Sequence, residues 1–213
     1  MRTVLLFLIL HMPLLAHGDD LQRYVIDDER SWIRVLVYRA GLMSMFGHNH
    51  VIASRDISGI VQRGAELGDT VVEMSFPVRS LLVDSRELRD QEGEDFSARV
   101  SEKDIHGTQQ NMLGHKVLDE QNHAVILIRS TEVSGELDSL IITADLSIAG
   151  KLRSISFPAS ASLADDSIAV SGTATVSHDD LGLKPFSAAF GTLKVRKDLT
   201  IRFRITAVVD TKD

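Results

Sequence analysis

Three stretches near the C-terminus alternate apolar and polar residues one for one, a period that fits a half-buried β-strand and no helix. In "SISFPASASL", from Ser154 to Leu163, the residues Ile155, Phe157, Ala159, Ala161 and Leu163 share one face and serines dominate the other. After Ala164-Asp165-Asp166 comes "SIAVSGTATV", with Ile168, Val170, Gly172, Ala174 and Val176 on one face. The two segments predict a hairpin, and the acidic pair suits its turn, where Asp hydrogen-bonds its own backbone. The last stretch, "LTIRFRITAVV", puts Leu199, Ile201, Phe203, Ile205, Ala207 and Val209 inward and Thr200, Arg202, Arg204 and Thr206 outward. Three such alternations in succession predict an antiparallel sheet wet on one side.

Earlier segments fit the same scheme: "RYVID", "SWIRVLVYRAG", "HVIASRDISGIVQ", "DTVVEMSFPV", "HAVILIRSTEV" and "SLIITADLSIAG". The exception runs from Ser85 to Leu113, which lacks period two and is rich in helix formers. Two short helices are expected there, the second opening at Ser101 with Asp104 as a capping partner and ending at Gly114. Its charged start, "SRELRDQEGED", reads as a solvated face. So many antiparallel strands in one domain must close or sandwich to hide their edges. The expected fold is therefore all-β with short helices: an antiparallel eight-stranded barrel with a helical insertion around residues 85–113.

Inward positions of the C-terminal strands include Ala159, Ala161, Gly172, Ala174 and Ala207, which fill little volume. An eight-stranded barrel either packs solid or holds one small ligand, and the small side chains favour the hollow form. Alternation places Val35, Val37, Met74, Phe76, Leu127, Phe157, Ala159, Val170, Ala174, Phe203 and Ile205 on the inner surface. The strand around Val35 is ambiguous, because Trp32, Leu36 and Tyr38 make its other face nearly as apolar.

The first residues, "MRTVLLFLILHMPLLAHGDD", combine Arg2, an apolar run and the small-residue pattern Ala16-His17-Gly18. They predict a signal peptide over residues 1–18 and a periplasmic or secreted protein. The chain has no cysteine, so the remainder, one domain over residues 19–213, must be held by its own core. The net charge of −7 argues against nucleic-acid phosphates as partners.

"MFGHNHVIAS", from Met45 to Ser54, places His48 and His50 two apart, on one face if the segment is extended. One metal ion could bridge them, but a catalytic zinc needs a third protein ligand. His106, His115, His123 and Asp56 stand at no recognisable spacing from the pair. The structural alternative is a partly solvated strand end. A Gly-x-Ser-x-Gly elbow and a glycine-rich phosphate loop are both missing from the sequence. His115, beside Lys116 after the second helix, reads as surface loop or, if the helices cap the barrel, as part of a gate.

The order of pieces resembles the YceI-like family of exported, lipocalin-like, polyisoprenoid-binding barrels. The matching stretches are "YVIDDERSWIRVLVYRAG", "ISGIV", "VEMSFPVRSLLVDS", "NMLGHKVLDEQNHAVILIRSTEV", "ADLSIAGKLRSISFPA" and "VSHDDLGL". "FGHNHVI" looks like a histidine-bearing branch of that family. The resemblance implies an eight-stranded barrel whose tunnel takes an apolar chain, such as an isoprenoid, an isoprenoid quinone or a similar lipid. It implies a noncatalytic carrier or store with no cofactor beyond such a ligand. Phe46, His48 and His50 are then expected at the mouth, fixing the ligand head. Two other readings stay open: a metal-binding factor using His48 and His50, and an accessory protein presenting a quinone to a transient membrane redox partner.

Overall fold

The computed structural model describes residues 21–211; the expected signal peptide lies outside them. The N-terminal half forms β1 (Gln22–Ile26), β2 (Trp32–Val37), β3 (Arg39–Ala40), β4 (His50–Ser54), β5 (Ser58–Arg63), β6 (Val71–Pro77) and β7 (Leu82–Val83). The helices α1 (Arg86–Asp90) and α2 (Glu102–Leu113) follow. The C-terminal half forms β8 (Val125–Glu136), β9 (Ser139–Ile148), β10 (Lys151–Leu163), β11 (Ser167–Ser177), β12 (Ser187–Ala188), β13 (Leu193–Val195) and β14 (Asp198–Val209).

Eight antiparallel staves close into a barrel, as the alternation requires. Each of the first three is broken into two collinear pieces, β1 with β2, β4 with β5 and β6 with β7, because β1 pairs β5 while β2 pairs β4, and β5 pairs β6 while β4 pairs β7. The long strands β8 to β11 continue the wall, and β14 closes it by pairing β11 on one side and both β1 and β2 on the other. At the break between β1 and β2, buried Ser31 mends the ladder: its hydroxyl donates to the Thr206 carbonyl at 3.2 Å and accepts from the Thr206 amide at 3.0 Å. Between β9 and β10 the two turn residues, Ala149 and Gly150, have φ of +47° and +72°, the left-handed pair that matches strand twist in a two-residue hairpin.

The capping expected of α2 is present. Ser101 accepts from the Asp104 amide at 3.2 Å and its hydroxyl donates to the Asp104 carboxylate at 2.7 Å. Gly114 closes the helix by donating to the Gln110 carbonyl at 3.0 Å.

The segment Ser85–Asp95 is solvated along one side, where Arg86, Glu87, Asp90, Glu94 and Asp95 are exposed, but not along the other. Leu88, Arg89 and the Glu92 side chain are buried, because α1 and the turn after it lie on the outer wall of β2 and β4. There Leu36, Val51, Ala53, Leu88 and Phe96 form a second core outside the barrel. This settles the ambiguous strand: Ile33 and Val35 face the lumen, and Leu36 faces the helical cover. Glu92 pins that cover with Oε1 on Arg34 at 2.8 Å and Oε2 on Arg202 at 2.6 Å.

Candidate functional site: the barrel cavity

The inward faces of the staves enclose a cavity of about 530 Å³, within the ~300–1,000 Å³ typical of small-molecule sites. Of the residues expected to line it, Val35, Met74, Phe76 and Phe157 do so, as do Val170, Ala174, Phe203 and Ile205. Val37 and Ala159 are buried in the wall without reaching the cavity. Gly172 has a different task from the one its size suggests. A Cβ there would come within 2.7 Å of the Phe203 ring, so the missing side chain seats that ring, which packs edge-on against Phe157 at 5.5 Å.

Leu127 is misplaced by the alternation. It is 52% exposed on the outer wall, while Ile126 and Ile128 face in. A bulge between Ser130 and Glu132 inserts a residue into β8, so Val133, which also faces in, cannot be used to count back to Leu127.

The two ends differ. Met112 of α2, Leu118 beyond it, and Leu181 and Leu183 from the loop after β11 are all buried and close one end. Val117 lines the same plug, while His115 and Lys116 beside it are exposed. At the other end the lining includes Arg63, Glu66, Leu67, Thr70 and Glu136, with Leu137 39% and Leu163 42% exposed. That end is the mouth.

Phe46, His48 and His50 were expected at the mouth and stand instead at the closed end, off the cavity lining. The reason is connectivity: Val37 pairs His50 at the far end of the β2–β4 hairpin, one barrel length from the open turns. Phe46 is 69% exposed. The His48 and His50 rings sit edge to face with centroids 6.4 Å apart, and His50 Nδ1 is bound at 2.6 Å to Asp84 Oδ2. Among the described residues no three His, Asp or Glu side chains are grouped to hold a metal.

Asp84 and Arg89 carry no signal in the sequence, yet they build the most buried ionic group of the molecule. Asp84 Oδ1 accepts from the Val51 amide at 3.0 Å and from Arg89 at 2.5 Å, and Arg89 also donates to the Asn49 carbonyl at 2.6 Å and the Ala98 carbonyl at 3.1 Å. Burial alone would raise the Asp84 pKa, but hydrogen bonding and charge from His50, with the Val51 amide and Arg89, outweigh it and hold the carboxyl below its usual range.

Away from the polar residues of the mouth, three buried polar side chains reach the cavity. Ser130 accepts from the Val72 amide at 2.8 Å and keeps its own proton to donate. His178, at the closed end, binds the Lys197 carbonyl through Nδ1 at 2.7 Å. A carbonyl only accepts, so Nδ1 carries the proton there. Ser54, where β4 ends, has a buried hydroxyl with no partner among the described residues. The small-residue pattern pointed to a cavity. It could not point to Ser54 or His178, whose inward aim depends on the break between β4 and β5 and on the loop after β11, whereas Ser130 shares the inward face of β8 with Ile126 and Ile128.

A closed antiparallel barrel with an apolar interior open at one end defines a class of proteins able to receive a hydrophobic ligand. The YceI-like domain model matches residues 24–207, and the chain belongs to that family. The crystal structure of BcnA from Burkholderia cenocepacia is similar, with a TM-score of 0.62 at 13% identity over 86% of this chain and 99% of that one. The YceI protein of Campylobacter jejuni superposes with a TM-score of 0.52 at 9% identity, over 76% of this chain and 85% of that one. No curated protein matches the sequence.

Proposed function

We propose that this protein is an exported, noncatalytic carrier or store for an amphiphile with a long apolar chain, such as an isoprenoid, an isoprenoid quinone or a similar lipid. The observation that carries the reading is the cavity itself, lined mostly by apolar side chains, plugged at one end and open at the other. A chain that moves about 300 Å² of apolar surface out of water gains about 7 kcal/mol gross, at about 25 cal/mol per Å². Lost freedom of the two partners offsets part of that gain. Ser54 favours a cargo bearing an oxygen over a bare hydrocarbon, since a buried hydroxyl without a partner costs about 1–3 kcal/mol that a carbonyl or hydroxyl of the cargo removes. His178 and Ser130 offer further polar contacts at the closed end and nearer the mouth.

Native mass spectrometry of the protein purified after export, followed by solvent extraction, tests the proposal. A stoichiometric apolar-chained species is expected. Protein that emerges empty and stays empty when incubated with prenols, quinones and fatty amides contradicts it. Where the cargo is a quinone, delivery to a membrane redox partner belongs to the same proposal, and cross-linking in intact cells should capture that partner.

A further inference from the structure

Two segments of this acidic chain contain no carboxylate. Residues 39–49, "RAGLMSMFGHN", and residues 184–197, "KPFSAAFGTLKVRK", hold Arg39, Lys184, Lys194, Arg196 and Lys197, while all 30 Asp and Glu residues lie elsewhere. The fold brings these segments together. β3 pairs β13, with Lys194 opposite Ala40 and Val195 opposite Arg39, and β13 pairs β12. Met43 is tied to Thr192 by a 3.0 Å backbone bond and by a 3.4 Å bond from the Thr192 hydroxyl to its sulfur. The result is one two-loop tip at the closed end of the barrel.

That tip is apolar where it meets solvent. Leu42 is 93%, Met45 74% and Phe46 69% exposed, and the Phe190 ring is wholly exposed. Phe190 also sits at φ +55°, a left-handed conformation that a bulky residue adopts only under constraint. Of the cations, Lys197 pairs with Asp179, Arg196 stacks over Tyr38 and Arg39 donates to the Gly47 carbonyl. No carboxylate pairs with Arg39, Lys184, Lys194 or Arg196 among the described residues.

We propose that this tip docks the protein on an anionic lipid membrane. Leu42, Met45, Phe46 and Phe190 enter the headgroup and upper acyl layer, and the surrounding cations take the lipid phosphates. Exposed apolar side chains on the same tip as cations that no carboxylate neutralises suit a surface-lying anchor, because the acyl layer receives the apolar part and the phosphates the charge. The shape favours a bilayer over a protein partner. Loop-borne side chains this exposed need a matching pocket in a rigid protein, whereas fluid acyl chains close around any protrusion. Among the described residues no helix is long and apolar enough to cross a membrane, and the docking proposed is by the tip alone. It also leaves the barrel mouth, at the opposite end, facing the aqueous side.

The test is cosedimentation of the exported, processed protein with vesicles of phosphatidylethanolamine and phosphatidylglycerol, against vesicles of phosphatidylcholine alone. Binding to the anionic vesicles is expected, weaker on phosphatidylcholine and weakened by salt. The double variant Phe46→Ser, Phe190→Ser should lose about a hundredfold in vesicle affinity, and Lys184→Glu, Lys194→Glu should lose the preference for anionic lipid. Uptake of an apolar fluorophore by the cavity should be unchanged in both, which shows the fold is intact and separates this proposal from the cargo reading. Absence of vesicle binding by the wild type, or an unaffected Phe46→Ser, Phe190→Ser variant, overturns the proposal. So does concentration-dependent dimerisation that the same variant abolishes, since it would assign the tip to a second copy of the chain.

Discussion

Asp84 stands at φ +54° with both carboxylate oxygens engaged and its side chain fully buried. Asn tolerates the same backbone conformation, so Asp84→Asn removes the charge and little else. It leaves Arg89 buried without its counter-ion and should cost about 3–5 kcal/mol at neutral pH, read by denaturant unfolding. The pH dependence has a definite sign. A carboxyl whose folded pKa is depressed stabilises the fold fully above its unfolded value, about 3.9, and loses that contribution as pH falls through the lower folded value. The gap between wild type and Asp84→Asn should therefore narrow below about pH 4. Ser54 supplies the second residue-scale prediction: Ser54→Ala should weaken binding of an oxygen-bearing amphiphile by about three- to tenfold and leave that of a plain hydrocarbon probe unchanged. Isothermal titration of the two probes separates these outcomes.

At the scale of elements, the helical cover over β2 and β4 matters as much as the staves. Phe96 is 1% exposed, and Phe96→Ala should cost about 3–5 kcal/mol with the lumen intact, seen as a lowered unfolding midpoint and unaltered probe uptake. On β8 the bulge gives a paired prediction. Leu127→Ser, on the outer wall, should change stability by less than about 0.5 kcal/mol, whereas Ile126→Ser, on the inner one, should cost about 3 kcal/mol. The staves β11 and β14, and β10 from Ser154 onward, were legible because one face meets the lumen and the other meets water, so residue type follows position there. Legibility failed where a third layer intervened. Leu36 is apolar for the sake of α1, Arg89 is buried against Asp84 five residues upstream, across the turn into α1, and Glu92 is buried beside two partners remote in sequence, Arg34 and Arg202. A local charge pattern cannot tell such a helix from a solvated one. The β8 bulge left no local signature either, and one inserted residue was enough to turn Leu127 outward.

The whole molecule is a hollow barrel, and the small residues that announced it divide in their use. Ala161, Ala174 and Ala207 border the cavity, Ala159 is packed into the wall, and Gly172 is filled by Phe203. Hollowness was thus readable in outline, but the direction of opening was not. It is set by Met112 of α2, Leu118 after it, and Leu181 and Leu183 from the loop after β11, a meeting no single segment encodes. In the function proposed, this lumen, and no surface feature, holds the cargo. Ala174 lines it toward the closed end, paired with Ile201 on the neighbouring β14, so Ala174→Trp should fill the space at little cost to the wall. The most direct measurement is a titration of delipidated wild type and Ala174→Trp with an apolar fluorophore, each variant first confirmed folded by thermal unfolding. Saturable, one-to-one uptake by the wild type and at least a tenfold loss in the filled variant are expected. Uptake by Ala174→Trp equal to that of the wild type, or none by the delipidated wild type, would contradict the proposed function.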